Sequence, residues 1–341
     1  MKSLTILTLA AAVCVAGPLA PARAADDVGS AKVFYQSLKG KHVDYVPMSL
    51  GFDLSQGLDT ALKDQAKALG YTVKSVDANW NVESALQAVN AFIDEKPDVL
   101  ILQPLDMQTY NRIIPKAMAA GINIVQMEVK SAANGDAFVG PDFGRLGSAE
   151  VEKLADVCGK DGKNGKIAII TGMVTDSATI DFGREANAAL AKHPELHLVS
   201  TQASDFDATK AHALTTTILK QNPDLCGIMG IWDGDDVGTA AAVREAGMQG
   251  KVFLATNGGG AKANACVNIE NGNYSAYLSY DLPGMTRDLN DVVKMLLETH
   301  PKPGSAPFTL YAPMRWVTKD TLASASCWAA DDLKGSAPVA E

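Results

Sequence analysis

The chain has 341 residues, 47% of them hydrophobic and 20% charged, with 39 acidic against 30 basic side chains and a formal charge of −9. That length is enough for two domains of ordinary size. No run of Lys or Arg is dense enough to track phosphates, so nucleic acid is not expected as a partner.

The first segment reads as a leader rather than as part of a fold. Lys2 gives a positive start, Leu4 to Val15 is an apolar run, and Ala22-Arg23-Ala24 is an A-x-A cleavage site. Cleavage after Ala24 removes two basic residues, leaves residues 25–341 and takes the formal charge to −11. Ala11-Ala12-Val13 before Cys14 does not form a lipobox, so no lipid anchor is expected. No later apolar run approaches the roughly 20 residues of a membrane helix. An exported, soluble chain without membrane insertion is the expectation.

Cys14 leaves with the leader, and Cys158, Cys226, Cys266 and Cys327 remain. An even count in an oxidising compartment points to disulfides and leaves three pairings open. A bond between Cys266 and Cys327 would tie the tail down. None of the four forms a C-x-x-C, so neither a metal knot nor a redox pair is expected.

From Lys41 onward, short β-branched runs alternate with amphipathic ones. Strand Val43–Met48 leads through Gly51 into a helix over Asp53–Leu69, with Asp53 as its N-cap and Gly70 as its stop. Strand Tyr71–Val76, helix Val82–Glu95, strand Asp98–Leu102, a helix around Met107–Ala120 and strand Ile122–Met127 follow. The pattern restarts near Asp142: short strand Phe138–Gly140, then helix Phe143–Cys158 and a polar linker from Gly159 to Gly165. Strands Lys166–Thr171, Leu196–Ala203, Leu225–Ile231, Val252–Thr256 and Tyr274–Tyr280 come next. Helices Thr179–Lys192, Ala208–Gln221, Asp235–Ala246, Ala261–Glu270 and Pro283–Glu298 are interleaved with them or follow. Pro301 to Glu341 is rich in Pro, Ala and Ser and reads as a surface wrap. Short apolar strands between longer helices imply parallel sheets buried on both faces. Two such series imply an α/β protein with two doubly wound lobes facing each other across a cleft.

The run Y-V-P-M-S-L-G-F-D (Tyr45–Asp53) followed by L-G-Y (Leu69–Tyr71) resembles the first unit of ribose-type periplasmic sugar-binding proteins. The resemblance continues through P-D-V-L-I-L-Q-P (Pro97–Pro104), A-A-G-I-N-I-V (Ala119–Val125) and G-P-D-F-G (Gly140–Gly144). Beyond them come Q-A-S-D-F-D (Gln202–Asp207), W-D-G-D-D-V-G (Trp232–Gly238), A-T-N-G (Ala255–Gly258) and D-L-P-G (Asp281–Gly284). It implies the type I periplasmic binding fold, with lobes joined by a hinge of three crossing strands. The N-terminal lobe would hold residues 25–140 and 282–312, and the C-terminal lobe residues 141–281 and 313–341. It also implies a monomeric receptor without a cofactor, handing a solute to the membrane permease of an ABC importer.

A sugar site needs aromatic rings for the C–H faces of its ligand and planar polar groups for the hydroxyls. On the first loop, Phe52 and Asp53 match family contacts, with Met48 and Ser49 beside them; helix capping and turn formation are the competing roles of Asp53 and Ser49. Glu128 stands where the family carries an acid that grips hydroxyls, but the arginine that often follows is Val129 here. At the segment 176–181, where the family often places another arginine, Thr175, Asp176 and Thr179 are the candidates. Phe206 matches a stacking aromatic, and Trp232-Asp233 replaces an Asn-Asp pair. Asn257 takes the place of a frequent acid, and Asp281 matches the polar residue of a crossing segment. Trp80 and Trp316 have no such support and are assigned to packing. The five histidines, His42, His193, His197, His212 and His300, are scattered, none pairing with a strand-end acid or Cys at ligand spacing. No G-x-S-x-G elbow or H-E-x-x-H appears, so no enzyme is expected.

Acids dominate these candidates and no base joins them, which suits a small neutral sugar or sugar alcohol and disfavours a sugar acid or phosphate. Loss of the arginines and gain of Trp232 favour an acyclic polyol. A receptor feeding a chemoreceptor or sensor kinase, or a secreted α/β enzyme acting on sugars, are the alternatives.

Overall fold

The computed structural model describes residues 31–160, 162–323 and 326–333. The leader and its cleavage site lie outside these residues. The chain runs α1 (Ala31–Leu38), β1 (His42–Val46), α2 (Asp53–Leu69), β2 (Thr72–Ser75), α3 (Val82–Glu95), β3 (Val99–Leu102), α4 (Ile113–Ala119), β4 (Asn123–Met127) and β5 (Ala137–Gly140). It continues as α5 (Phe143–Cys158), β6 (Lys166–Thr171), α6 (Ser177–Leu190), β7 (His197–Ala203), α7 (Ala208–Gln221), β8 (Gly227–Gly230), α8 (Asp233–Glu245), β9 (Phe253–Gly258), α9 (Ala265–Glu270) and β10 (Ala276–Tyr280). The last elements are α10 (Leu282–Thr299), β11 (Phe308–Tyr311), β12 (Met314–Val317) and a 3-10 turn, Ala330–Leu333.

Two six-stranded sheets result, in the orders β11-β5-β4-β3-β1-β2 and β12-β10-β9-β8-β6-β7. All pairs are parallel except β10 with β12. Every residue of the inner strands β3, β4 and β5 is buried, Asn123 and Gln126 of β4 included, as the helices on both faces require. Edge strand β7 is mostly exposed. Local chemistry fixes several helix starts: Asn81, Asp142, Asp176, Asp207 and Asp281 each accept a backbone N–H from the first turn of α3, α5, α6, α7 and α10. In α2 the capping position belongs to Phe52, and Asp53 is already helical. The N-cap role expected of Asp53 is therefore not the one it fills.

The chain crosses between the sheets after β5, after β10 and between β11 and β12. Residues 308–317, expected to wrap the surface, instead add an edge strand to each sheet. Cys266 is joined to Cys327 and Cys158 to Cys226, with Cα–Cα distances of 6.1 and 5.8 Å. Beyond Cys327 the tail touches both halves. Trp328 pairs with Ala261 and donates from Nε1 to Gly259 O at 2.6 Å, while the last turn rests on α2 and α10.

In each sheet the connections reverse direction between the first strand and its neighbour, at β1/β3 and β6/β8. Ligands of open α/β sheets bind outside the carboxyl ends of the strands at this place. The loops after β1, β2, β4, β6, β7 and β8 all converge there.

Candidate functional site

Four aromatic rings meet between the lobes. Phe52 follows β1, Trp80 follows β2, Phe206 follows β7 and Trp232 follows β8. Phe52 stacks on Trp80 with centroids 5.7 Å apart and meets Trp232 edge-on at the same distance. Trp80 lies 6.3 Å from Phe206 and 6.5 Å from Trp232, and Phe206 stands edge-on to Trp232 at 6.0 Å. These are ordinary aromatic contact geometries.

Backbone conformation aims the rings. Trp80, Glu128 and Phe206 all have left-handed φ, at +57°, +65° and +60°. Side chains this large rarely adopt that region, and where they do the surroundings enforce it. At Trp80 the enforcement is a bond from its N–H to Met48 O, 2.8 Å, which folds the loop after β2 over the loop after β1. On the opposite lobe both rings lie against glycine. A Cβ at Gly172 would fall 2.0 Å from the Phe206 ring, and one at Gly234 would fall 2.3 Å from Trp232.

Beneath the rings lie buried acceptors. Glu128 accepts from the amide of Gln103 and, at 3.1 Å, from Tyr280 of the opposite lobe. Gln103 is held in turn by its own oxygen, which accepts from Tyr45, Ser55 and the Met48 N–H. Asp176 caps α6 through Oδ2 while its Oδ1, although buried, has no partner. Burial pushes the carboxyls of Glu128 and Asp176 up to about 7 despite the hydrogen bonds they accept. Met48, Val129, Phe143, Ala178 and Ile231 complete the wall around a space of about 40 Å³, room for a few waters. Among the described residues no Lys, Arg or His lines it. The lobes are also bonded directly beside it, from Met107 N–H to Thr175 O at 3.2 Å and from Lys130 N–H to Ser177 Oγ at 3.1 Å.

Of the residues singled out in the sequence, Met48, Phe52, Glu128, Asp176, Phe206 and Trp232 line this space. Asp53 and Asp233 stand at a side recess with Phe52, Trp232 and Trp328. Asp233 is further occupied by Tyr277, whose hydroxyl donates at 2.8 Å, and burial pushes its carboxyl up to about 7. The others are not brought to the rings. Ser49 Oγ accepts the Gly51 N–H within its own turn. Thr179 is buried in the first turn of α6, its N–H donating to the Asp176 cap. Asn257 lies inside β9 rather than beyond its end, and donates inward to Glu150 Oε1 and Gly230 O. Asp281 caps α10 beside a separate opening lined by Pro313 and Cys327.

Trp80, assigned to packing in the sequence, is 41% exposed and belongs to the ring cluster. Its position just past β2 was the available signal, since every strand end on this edge faces the cleft. Tyr280 and Gln103 had no comparable mark. Trp316 stays away from the rings, under Lys153 Nζ at 5.0 Å.

A model of the periplasmic binding protein domain matches residues 44–301. The chain belongs to that family. Its two-lobed α/β architecture and its likeness to ribose-type sugar-binding proteins are those the motifs implied. This periplasmic binding protein is 27% identical to the D-allose-binding periplasmic protein of Escherichia coli (strain K12), over 59% of this chain and 66% of that one. It is 24% identical to the xylitol-binding protein of Mycolicibacterium smegmatis, over 60% of this chain and 57% of that one. The match thus spans less than two thirds of the length of these curated relatives. An ABC transporter solute-binding protein from Agrobacterium vitis, bound with α-D-tagatopyranose, shares the fold. Its TM-score is 0.74 at 19% identity, covering 84% of this chain and 97% of the other.

Proposed function

We propose that the chain is the periplasmic solute receptor of an ABC importer, binding a small neutral sugar or sugar alcohol between its lobes and performing no chemistry on it. The observation that carries this reading is the four-ring cluster set over buried carboxylates, with two rings from each lobe. Ring faces suit the C–H surfaces of a sugar or polyol, and carboxylates suit its hydroxyl donors. With no Lys, Arg or His among the described residues of the wall, a ligand carrying its own negative charge would meet acids and rings. Met48, Phe52, Trp80, Glu128, Asp176, Phe206, Trp232 and Tyr280 are the contacts assigned to this role.

The rings are too close together to admit even a pentose, so the lobes must part and close again around it. Enclosure also suits the energetics. Micromolar affinity is about −8 kcal/mol, which over roughly ten heavy atoms of a small sugar is near −0.8 kcal/mol per atom. That figure is high for any ligand and calls for contact on every side. Both curated relatives described above are named for a sugar or a polyol, which supports the class and leaves the individual ligand to experiment.

A thermal-shift screen over pentoses, hexoses and polyols, with sugar acids and phosphates as counter-ligands, tests the reading. A one-site ligand at a hundredfold excess over its dissociation constant adds about 2.7 kcal/mol, a visible rise in melting temperature. Stabilisation by acids or phosphates alone would overturn the charge argument, and recovery of a sugar chemically altered would overturn the receptor reading.

A further inference from the structure

A second cluster of donor atoms lies at the amino end of β1, opposite the cleft. His42 opens the strand, and Asp44 stands two residues on, on the same sheet face. Glu95 ends α3 beside them. One donor atom from each of the three lies within 4.8 Å of the others. Asp44 has no exposed surface, and its Oδ2 has no hydrogen-bond partner. Its Oδ1 pairs with His42 Nε2 at 2.8 Å. A buried carboxylate matched at one oxygen only is costly, and a bound cation is one of the ways proteins resolve it.

We propose that His42, Asp44 and Glu95 form a binding site for a divalent transition-metal ion of the zinc class, leaving a fourth position for water. One nitrogen and two carboxylate donors are a ligand set such ions accept. The ring of His42 is already oriented for it: Nδ1 lies 2.8 Å from Thr72 Oγ1, so Nε2 points at Asp44, the arrangement seen around metal-bound histidines. Donors of a tetrahedral zinc stand about 3.4 Å apart. The present spacing therefore needs a contraction that the partly exposed His42 and Glu95 side chains can supply by rotation. Lys74, the cross-strand partner of Asp44, is the competing cation and holds Glu95 at 2.6 and 2.9 Å. Its side chain is 48% exposed and that of Glu95 43%, and surface pairs of this kind contribute little, so Glu95 is free to exchange partners. An ion here would staple β1 to the end of α3 without entering the cleft. The inference thus stands apart from the proposed ligand.

The test uses tag-free protein stripped with a chelator, titrated with zinc chloride in a calorimeter and melted with and without zinc. One equivalent bound and a melting temperature raised by a few degrees are expected. His42→Ala and Asp44→Asn should each weaken zinc binding at least tenfold while leaving binding in the cleft unchanged. Asp44→Asn should melt no lower than the parent without metal, because it removes a buried charge with one unpartnered oxygen while its amide can still face His42; it remains informative if His42→Ala folds badly. Absence of saturable binding, or equal zinc affinity in Asp44→Asn, would overturn the proposal. The latter result would place the ion at a surface pair such as His193 with Glu195.

Discussion

Replacing Glu128 by Gln tests the electrostatics of the cleft. The residue is 7% exposed, and its carboxyl accepts two hydrogen bonds and is pushed by burial to about 7, against 4.5 in an unfolded chain. A native acid with a raised pKa takes up a proton on folding between those two values. Its charged form therefore costs stability progressively as pH rises from about 4.5 to 7, fully above 7 and not at all below 4.5. The interval corresponds to about 3 kcal/mol. Glutamine removes the charge and keeps both bonds: its carbonyl accepts from Gln103, and its amide donates to Tyr280, whose hydroxyl can turn. At pH 8 the variant should therefore be the more stable protein by about 3 kcal/mol, on the order of 5 °C in melting temperature for a chain of this size. Near pH 4.5 the two should melt together. Asp176 and Asp233 rise to about 7 as well, so both proteins lose stability with rising pH, and only the difference between them reports Glu128. Thermal melts at half-unit pH steps measure it. A difference that stays constant from pH 5 to 8, or a variant less stable at pH 8, would refute the reasoning.

Two further outcomes follow from the packing. Trp80→Ala should weaken binding of the ligand found by screening tenfold or more, a loss of about 1.4 kcal/mol. It should also lower the melting temperature without ligand by a few degrees, since the residue, 41% exposed, packs on Phe52, Phe206 and Trp232; calorimetry and a melt check both. Replacing Cys266 and Cys327 together by Ser reopens a loop closed across 61 residues, which the chain-entropy relation values at about 4 kcal/mol. Denaturant titration should show most of that, and a change below 1 kcal/mol would mean that the tail adds nothing to stability.

The strands were legible because burial on both faces leaves them no choice of composition: Val99–Leu102 is wholly apolar and wholly buried. The helix starts after Asp142 and Asp207 were legible, though not the capping role of these two acids, while Asp53, which was read as a cap, is already helical. Direction was not legible. Asn257 looks like a strand-end amide, but β9 continues through Gly258, and its side chain turns toward Glu150 in the second lobe. A helix starting at Asp235 carried no sign of which way its acids point, yet Asp235 and Asp236 are fully buried, bonded to Ser204 and Thr256. Trp80 was marked by its place just past β2, but the left-handed backbone that turns its ring into the cleft is signalled by no spacing rule. Pattern reports which residues are apolar or capping; the pleat and the loop conformation decide which way they look.

The contact between Trp80 and Trp232 gives this molecule an optical property. The two indoles belong to different lobes and lie 6.5 Å apart, close enough for their excited states to couple. Any motion that separates the lobes must weaken that coupling and expose both rings to water. The ultraviolet circular dichroism and emission of the unlabelled protein therefore report lobe separation directly, so opening and closing rates can be followed without attached dyes.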